Sequence, residues 1–131
     1  MAPGRNDLVD LASKVETVLR SADLSAFSEL LDPAVTWGPP GDEVSGCHNR
    51  AEVIAWYQRA RSEGMAGDVT EMVLGEDALL VGLRVTGTQE AKDAGGVAER
   101  WQVLRVRGGR VFDIRGYPDR DEAAVQAGVS A

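Results

Sequence analysis

The chain has 131 residues, 44% of them apolar, which is one ordinary domain with side chains enough for a core. Fourteen basic residues stand against twenty-one acidic ones, a net charge of −7 with both halves acidic, so no nucleic-acid partner is expected. No apolar run approaches the ~18 residues of a membrane span, no leader segment is legible, and the single Cys47 excludes an internal disulfide, so the expectation is a cytoplasmic protein without a membrane partner.

Residues 8–19 predict an amphipathic helix: Leu8, Leu11, Ala12, Val15 and Leu19 recur at helical spacing, with Asp7 as N-cap. A shorter helix follows Asp23, carries Leu24, Phe27, Leu30 and Leu31 on one face, and ends at Asp32-Pro33. Val35 to Trp37 reads as extended, and Gly38-Pro39-Pro40-Gly41 as a loop. Asn49 caps a third helix with Glu52 in the capping-box position; Val53, Trp56, Tyr57 and Ala60 share a face, and Gly64 stops it. The period then changes. Residues 69–74, 78–86, 97–107 and 111–117 alternate apolar and polar and are rich in β-branched side chains, with Gly108-Gly109 as a hairpin turn. Asp119 to Ala127 predicts a closing helix. Three helices followed by an antiparallel meander is an α+β order, buried most simply by a curved sheet wrapped around the helices.

Dinucleotide, P-loop and serine-hydrolase signatures are absent, so no cofactor is expected. No metal is expected either. The only His, His48, adjoins the only Cys, and adjacent side chains in an extended loop point apart.

Three segments carry a resemblance: DLSAFSELLDPAVTW (residues 23–37), GCHNRAEVIAWYQRA (46–60) and RWQVLRVRGGRVFDIRGYPDRDEA (100–123). Their order and spacing resemble the NTF2-like superfamily, particularly small bacterial SnoaL-like members, from about Leu8 to Ala127. The resemblance implies one domain: a cone of strongly curved antiparallel sheet around three N-terminal helices. It also implies a largely apolar pocket for a small organic molecule, and often a homodimer through the opposite sheet face. Ketosteroid isomerases, polyketide cyclases and epoxide hydrolases share the fold with non-catalytic binding and accessory domains, so fold alone leaves enzyme and binding domain both open.

The catalytic groups of those enzymes do not carry over. Val15, Gly38 and Gln102 stand where the isomerase pattern has its Tyr, Asp base and protonated Asp, while Tyr57 keeps a supporting position and Trp56 a pocket wall. Gly116 stands where the cyclase and epoxide-hydrolase patterns place an Asp. Any chemistry on a polyketide- or terpene-like metabolite is therefore expected from His48, Tyr57, Arg100 and Gln102, with Trp37, Trp56, Phe112 and Ile114 binding the ligand.

Strand alternation puts Gln102, Arg100 and Leu104 on one face and Glu99, Trp101 and Val103 on the other; likewise Phe112, Ile114 and Gly116 oppose Asp113, Arg115 and Tyr117 unless a bulge intervenes. Histidine is the side-chain type suited to general acid or base work near neutral pH, and His48 is the only one, but a loop histidine equally bonds local backbone. Cys47 reads as a small buried residue rather than a nucleophile. Arg84 and Arg100 suit either an anionic ligand or cross-strand pairs with Glu99 or Asp113. Trp101, Val103, Arg115 and Tyr117 form an outward group that predicts a two-fold dimer face.

Overall fold

Helix α1 (Arg5–Ser21) buries Leu8, Leu11, Ala12 and Val15, the stripe its spacing predicts. It begins two residues before the expected cap, so Asp7 lies within its first turn. The structure, a computed structural model, describes residues 5–21, 23–38 and 46–129; Pro39 to Gly41 of the expected loop lie outside them.

Helix α2 (Leu24–Glu29) follows Asp23 as expected, and Asp23 caps it, with the Ala26 N–H donating to Asp23 Oδ1 at 3.1 Å. It ends earlier than Asp32-Pro33 predicts. Strand β1 (Leu31–Gly38) already starts at Leu31, whose side chain is fully buried, and Pro33 sits inside this edge strand. Helix α3 (Arg50–Ser62) starts at Asn49, which accepts from the Glu52 N–H at 2.9 Å, and it stops before Gly64 at φ +93°. Glu52 reaches back to the His48 N–H at 2.8 Å, one residue upstream of a regular capping box.

Strands β2 (Ala66–Leu74), β3 (Ala78–Thr86), β4 (Ala98–Arg107) and β5 (Arg110–Tyr117) form an antiparallel meander. Gly108 and Gly109 both have positive φ in the last hairpin, as a two-residue turn of matching twist demands. The sheet order is β1-β5-β4-β3-β2. Strand β1 runs parallel to β5, so the sheet is mixed rather than wholly antiparallel. Direction at that edge is set by a non-local pairing, which strand periodicity does not encode. A short helix α4 (Gln89–Asp93), unforeseen because five residues give no readable period, bridges β3 and β4, and α5 (Arg120–Ala127) closes the chain.

Two apolar clusters lie on opposite faces of this curved, unclosed sheet. The larger unites α1, α2 and α3 with the concave face through Val35, Leu79, Val81, Leu104 and Ile114. The smaller lies on the convex face, where Ala123 and Ala127 of α5 cover Ala78, Leu80, Val103 and Tyr117. Strand β3 is thus buried on both sides, with Leu79, Val81 and Leu83 facing the helices and Leu80 facing α5. This convex cover overturns the expectation of an exposed aromatic group. Val103 is fully buried, Tyr117 is 5% exposed, and Trp101 is half-buried with its Nε1–H donating to Glu71 Oε1 at 3.3 Å.

Candidate functional site

The helices do not fill the concave face. Toward one end they stand off the sheet and leave a cavity of about 440 Å³, within the range of small-molecule sites. Val18, Leu19, Leu24 and Phe27 of α1 and α2 form one wall, Trp56, Tyr57 and Ala60 of α3 a second, and Leu83, Val85 and Gln102 of the sheet the floor. Met65, Ala66, Gly67 and Thr88, with the exposed Arg20, Arg61 and Asp68, complete the lining. Aromatic side chains brace one another along α3. Trp37 and Trp56 lie with ring centroids 4.3 Å apart, and Tyr57 meets Trp56 and Phe27 edge-on at 5.3 and 5.4 Å.

Within this apolar frame two polar groups meet. The Tyr57 hydroxyl has the Gln102 side chain and the Trp37 indole as its polar neighbours, and both favour its ionised form. The Trp37 Nε1 is buried and closes no hydrogen bond of good geometry among the described residues. Burial pushes the Tyr57 hydroxyl pKa up to about 12, against the opposing effect of Gln102 and Trp37. Tyr57 is therefore a neutral hydrogen-bond donor at any physiological pH.

Of the residues singled out by sequence, the structure brings Trp56, Tyr57 and Gln102 into the cavity lining, with Trp37 packed behind them. It does not bring in the others. Ile114 is fully buried in the solid part of the core. Phe112 sits at a register shift of β5 that lets both Val111 and Ile114 face the helices, and its ring carries the Arg107 guanidinium at 4.4 Å. Arg100 shares the concave face with Gln102 but lies against Gly116, outside the lining. His48 is at the surface, its Nδ1 3.5 Å from Glu52 Oε1 with both side chains about half exposed, and it is absent from the lining. The residue expected as acid or base is therefore exposed and outside the cavity lining. Burial pushes the Cys47 thiol up, with the Glu52 carboxylate adding to it, which makes a poor nucleophile.

Sequence reasoning missed the first wall. Val18, Leu19, Leu24 and Phe27 read as core, and the helical period is the same whether a stripe packs on side chains or faces a void. Asp113 and Arg84 lie outside the cavity lining. Asp113 accepts from Thr36 Oγ1 at 2.5 Å and from Arg115 Nε at 3.0 Å, with Arg105 4.0 Å away. Arg84 is exposed opposite Glu99.

No group of His, Cys, Asp or Glu among the described residues is arranged to hold a metal, and no helix there is long and apolar enough to cross a membrane.

Comparison with solved structures agrees on the architecture. A candidate ketosteroid isomerase from Kribbella flavida is 18% identical with a TM-score of 0.68, over 85% of this chain and 76% of that one. A candidate polyketide cyclase from Sinorhizobium meliloti is 17% identical with a TM-score of 0.65, over 88% of this chain and all of that one. An LEH-like epoxide hydrolase from M. tuberculosis is 14% identical with a TM-score of 0.62, over 95% and 94%. At such identities the likeness is one of fold. No curated protein matches the chain. The family model of the SnoaL-like domain matches residues 14–114, so the chain belongs to the SnoaL-like family within the NTF2-like superfamily.

Proposed function

We propose that this domain binds a small, largely apolar organic molecule in the concave cavity. The observation that carries the reading is the cavity itself. A packed interior leaves few voids larger than a water molecule, yet here about 440 Å³ stands open between α1, α2, α3 and the sheet. Its walls are largely apolar, Tyr57 and Gln102 bring neutral polar groups to them, and the charged Arg20, Arg61 and Asp68 of the lining are all exposed to water. That composition favours, inside the cavity, a neutral body of polyketide- or terpene-like character, held by burial and oriented by one or two hydrogen bonds.

Trp56 lines the cavity and reports on it. Titration of bicyclic hydrocarbons and ketones is expected to change tryptophan fluorescence saturably and to raise the melting temperature. Trp56→Arg, which fills the space and introduces a charge, is expected to abolish both signals. Absence of any saturable signal in the unmodified protein counts against the reading.

One observation favours a catalytic second reading. A tyrosine held protonated beside an apolar cavity is a competent electrophile toward a carbonyl or epoxide oxygen. Cyclase, isomerase or hydrolase activity would then depend on Tyr57 and Gln102, with no part for His48. Turnover of a ketone or epoxide that disappears in Tyr57→Phe separates this reading from binding alone. A homodimer is also proposed, resting on the family resemblance now that α5 covers the expected aromatic face; light scattering at micromolar concentration decides it.

A further inference from the structure

Among the described residues, the charges of the cavity stand where its lining meets water: Arg20, Arg61 and Asp68 are all exposed. Helices α1 and α3 end alike at this mouth. Leu19 and Ala60 line the cavity, Arg20 and Arg61 follow them, and Ser21 and Ser62 are the last helical residues. Two walls thus bring a guanidinium to one mouth by the same step in the chain.

The acid comes from elsewhere. Asp68 lies on the edge strand β2, next to Val69, which is buried beneath the helices opposite Leu83. Alternation therefore sets Asp68 on the other face, where Arg84 stands directly across from it and offsets its charge. Arg20 gives one N–H to Glu16 Oε1 at 3.2 Å in a pair open to water. Such a pair contributes little, and a guanidinium has five N–H donors, so one bond does not exhaust it. The carbonyl ends of α1 and α3 lie at the same mouth, but each carries roughly half a charge against the full charge of its arginine. The balance there is positive, in a chain whose net charge is −7. Salt screens charges beyond ~8 Å at physiological ionic strength, so the local balance decides what sits at the mouth.

Burial and charge then sort a ligand by its parts. Phe27, Trp56, Leu83 and Val85 favour an apolar body, and an ionised group among them would lose its water without a partner charge. At the mouth the same group keeps its water and meets two cations whose planar forks match a carboxylate. A hydroxyl group gains no charge interaction there, and an ammonium is repelled.

We propose, resting on the cavity reading above, that the ligand is an amphipathic acid: an apolar body inside the cavity and a carboxylate at its mouth, held by Arg20 and Arg61.

Three probes with one naphthyl body and arms of equal length test this by calorimetric titration of the full chain: naphthylpropanoate, naphthylpropanol and naphthylpropylammonium, in salt of about 0.15 M. The expected order of affinity is carboxylate, then alcohol, then ammonium. Arg20→Gln and Arg61→Gln are each expected to weaken the carboxylate by about 1.5- to 5-fold, the range of exposed ion pairs. The double variant is expected to bring it to within about twofold of the alcohol, whose own affinity stays unchanged throughout. An alcohol as tight as the carboxylate, an ammonium tightest of all, or a carboxylate advantage that survives the double variant would each overturn the assignment while leaving a binding cavity. Failure of all three probes to bind removes the cavity reading and the assignment with it. Should the double variant fail to fold, the single variants and the affinity order in the unmodified protein decide.

Discussion

On the convex face of the sheet, α5 lies flush against the strands because both sides of the contact are small. Ala123 and Ala127 meet Ala78, and Gly75 at the β2–β3 turn leaves room for the Ala127 carbonyl, which a Cβ at that position would overlap at 1.7 Å. On the concave face the contact is made by large side chains, Phe27, Trp56 and Tyr57, which prop the helices away from Leu83 and Val85. Small residues permit close approach and a sealed surface, whereas large rigid rings braced edge-on against one another permit an enclosed void. The site therefore falls on the face where Phe27, Trp56 and Tyr57 hold the helices off the sheet, while on the other face Arg120 clamps Glu71 through two hydrogen bonds at 2.6 and 3.1 Å.

The concave face itself divides into a solid and a hollow end. Ile114 is fully buried in the solid end, so Ile114→Ala is expected to cost ~2–5 kcal/mol through lost burial and a new void. Leu83 is half-buried and already borders empty space, so Leu83→Ala is expected to cost less than half as much. Urea unfolding of both variants measures the difference. Equal losses would mean that the hollow end is packed in solution.

The flush face is sensitive to added volume. Gly75→Ala sets a methyl against backbone, which cannot rotate aside, and is expected to cost ~1–3 kcal/mol. Ligand affinity should hold in the folded fraction, because Gly75 lies outside the cavity lining. Thermal melts combined with titration of a bicyclic ketone check both halves of this expectation.

Much of this architecture is legible in the amino-acid order. The caps at Asp23, Asn49 and Asp119, the Gly108-Gly109 turn and the faces of β4 follow from local chemistry and period. What is not legible depends on contacts between distant segments. The parallel pairing of β1 with β5 is one case, and the shift in β5 that removes Phe112 from the expected pocket face is another. The covering of Tyr117 by α5 is a third, since an alternating strand looks the same beneath solvent, a helix or a second subunit. Within the site, Tyr57 and Gln102 were recoverable by alignment to the family, while the choice between cavity and solid core along α1 and α2 was not.

The two faces also differ in their response to pH. On the concave side the Tyr57 pKa rises from the ordinary 10 to about 12 on folding. Its contribution to stability is thus complete below pH 10 and is lost as pH climbs through 12. Tyr117 on the convex side shifts the same way, so the diagnostic quantity is the difference between the unmodified protein and Tyr57→Phe, which should flatten part of the alkaline fall. Glu71 on the convex side has its pKa lowered, chiefly by the hydrogen bonds from Arg120. Its contribution is present above its ordinary value of 4.5 and is lost as pH falls below it, so Glu71→Gln should flatten the acid limb. Melting temperatures across roughly pH 3 to 11.5, which reach into the acid loss and into the alkaline fall, test the contributions of Glu71 and Tyr57.

The smallest effect belongs to His48, and it marks where the site ends. The bond that ties the residue to α3 is made by its backbone, the N–H donating to Glu52 Oε1 at 2.8 Å, and alanine keeps that bond. The ring adds only a 3.5 Å approach to the same carboxylate, between side chains 51% and 49% exposed. Pairs so open to water contribute little, so His48→Ala is expected to change stability by no more than a few tenths of about 1 kcal/mol. Because His48 is absent from the cavity lining, affinity for a bicyclic ketone should stay within about twofold, the variation to be expected of a surface change. A loss of binding or turnover in this variant, with its melting temperature intact, would carry the site beyond the aromatic wall to the start of α3 and return the histidine to the chemistry.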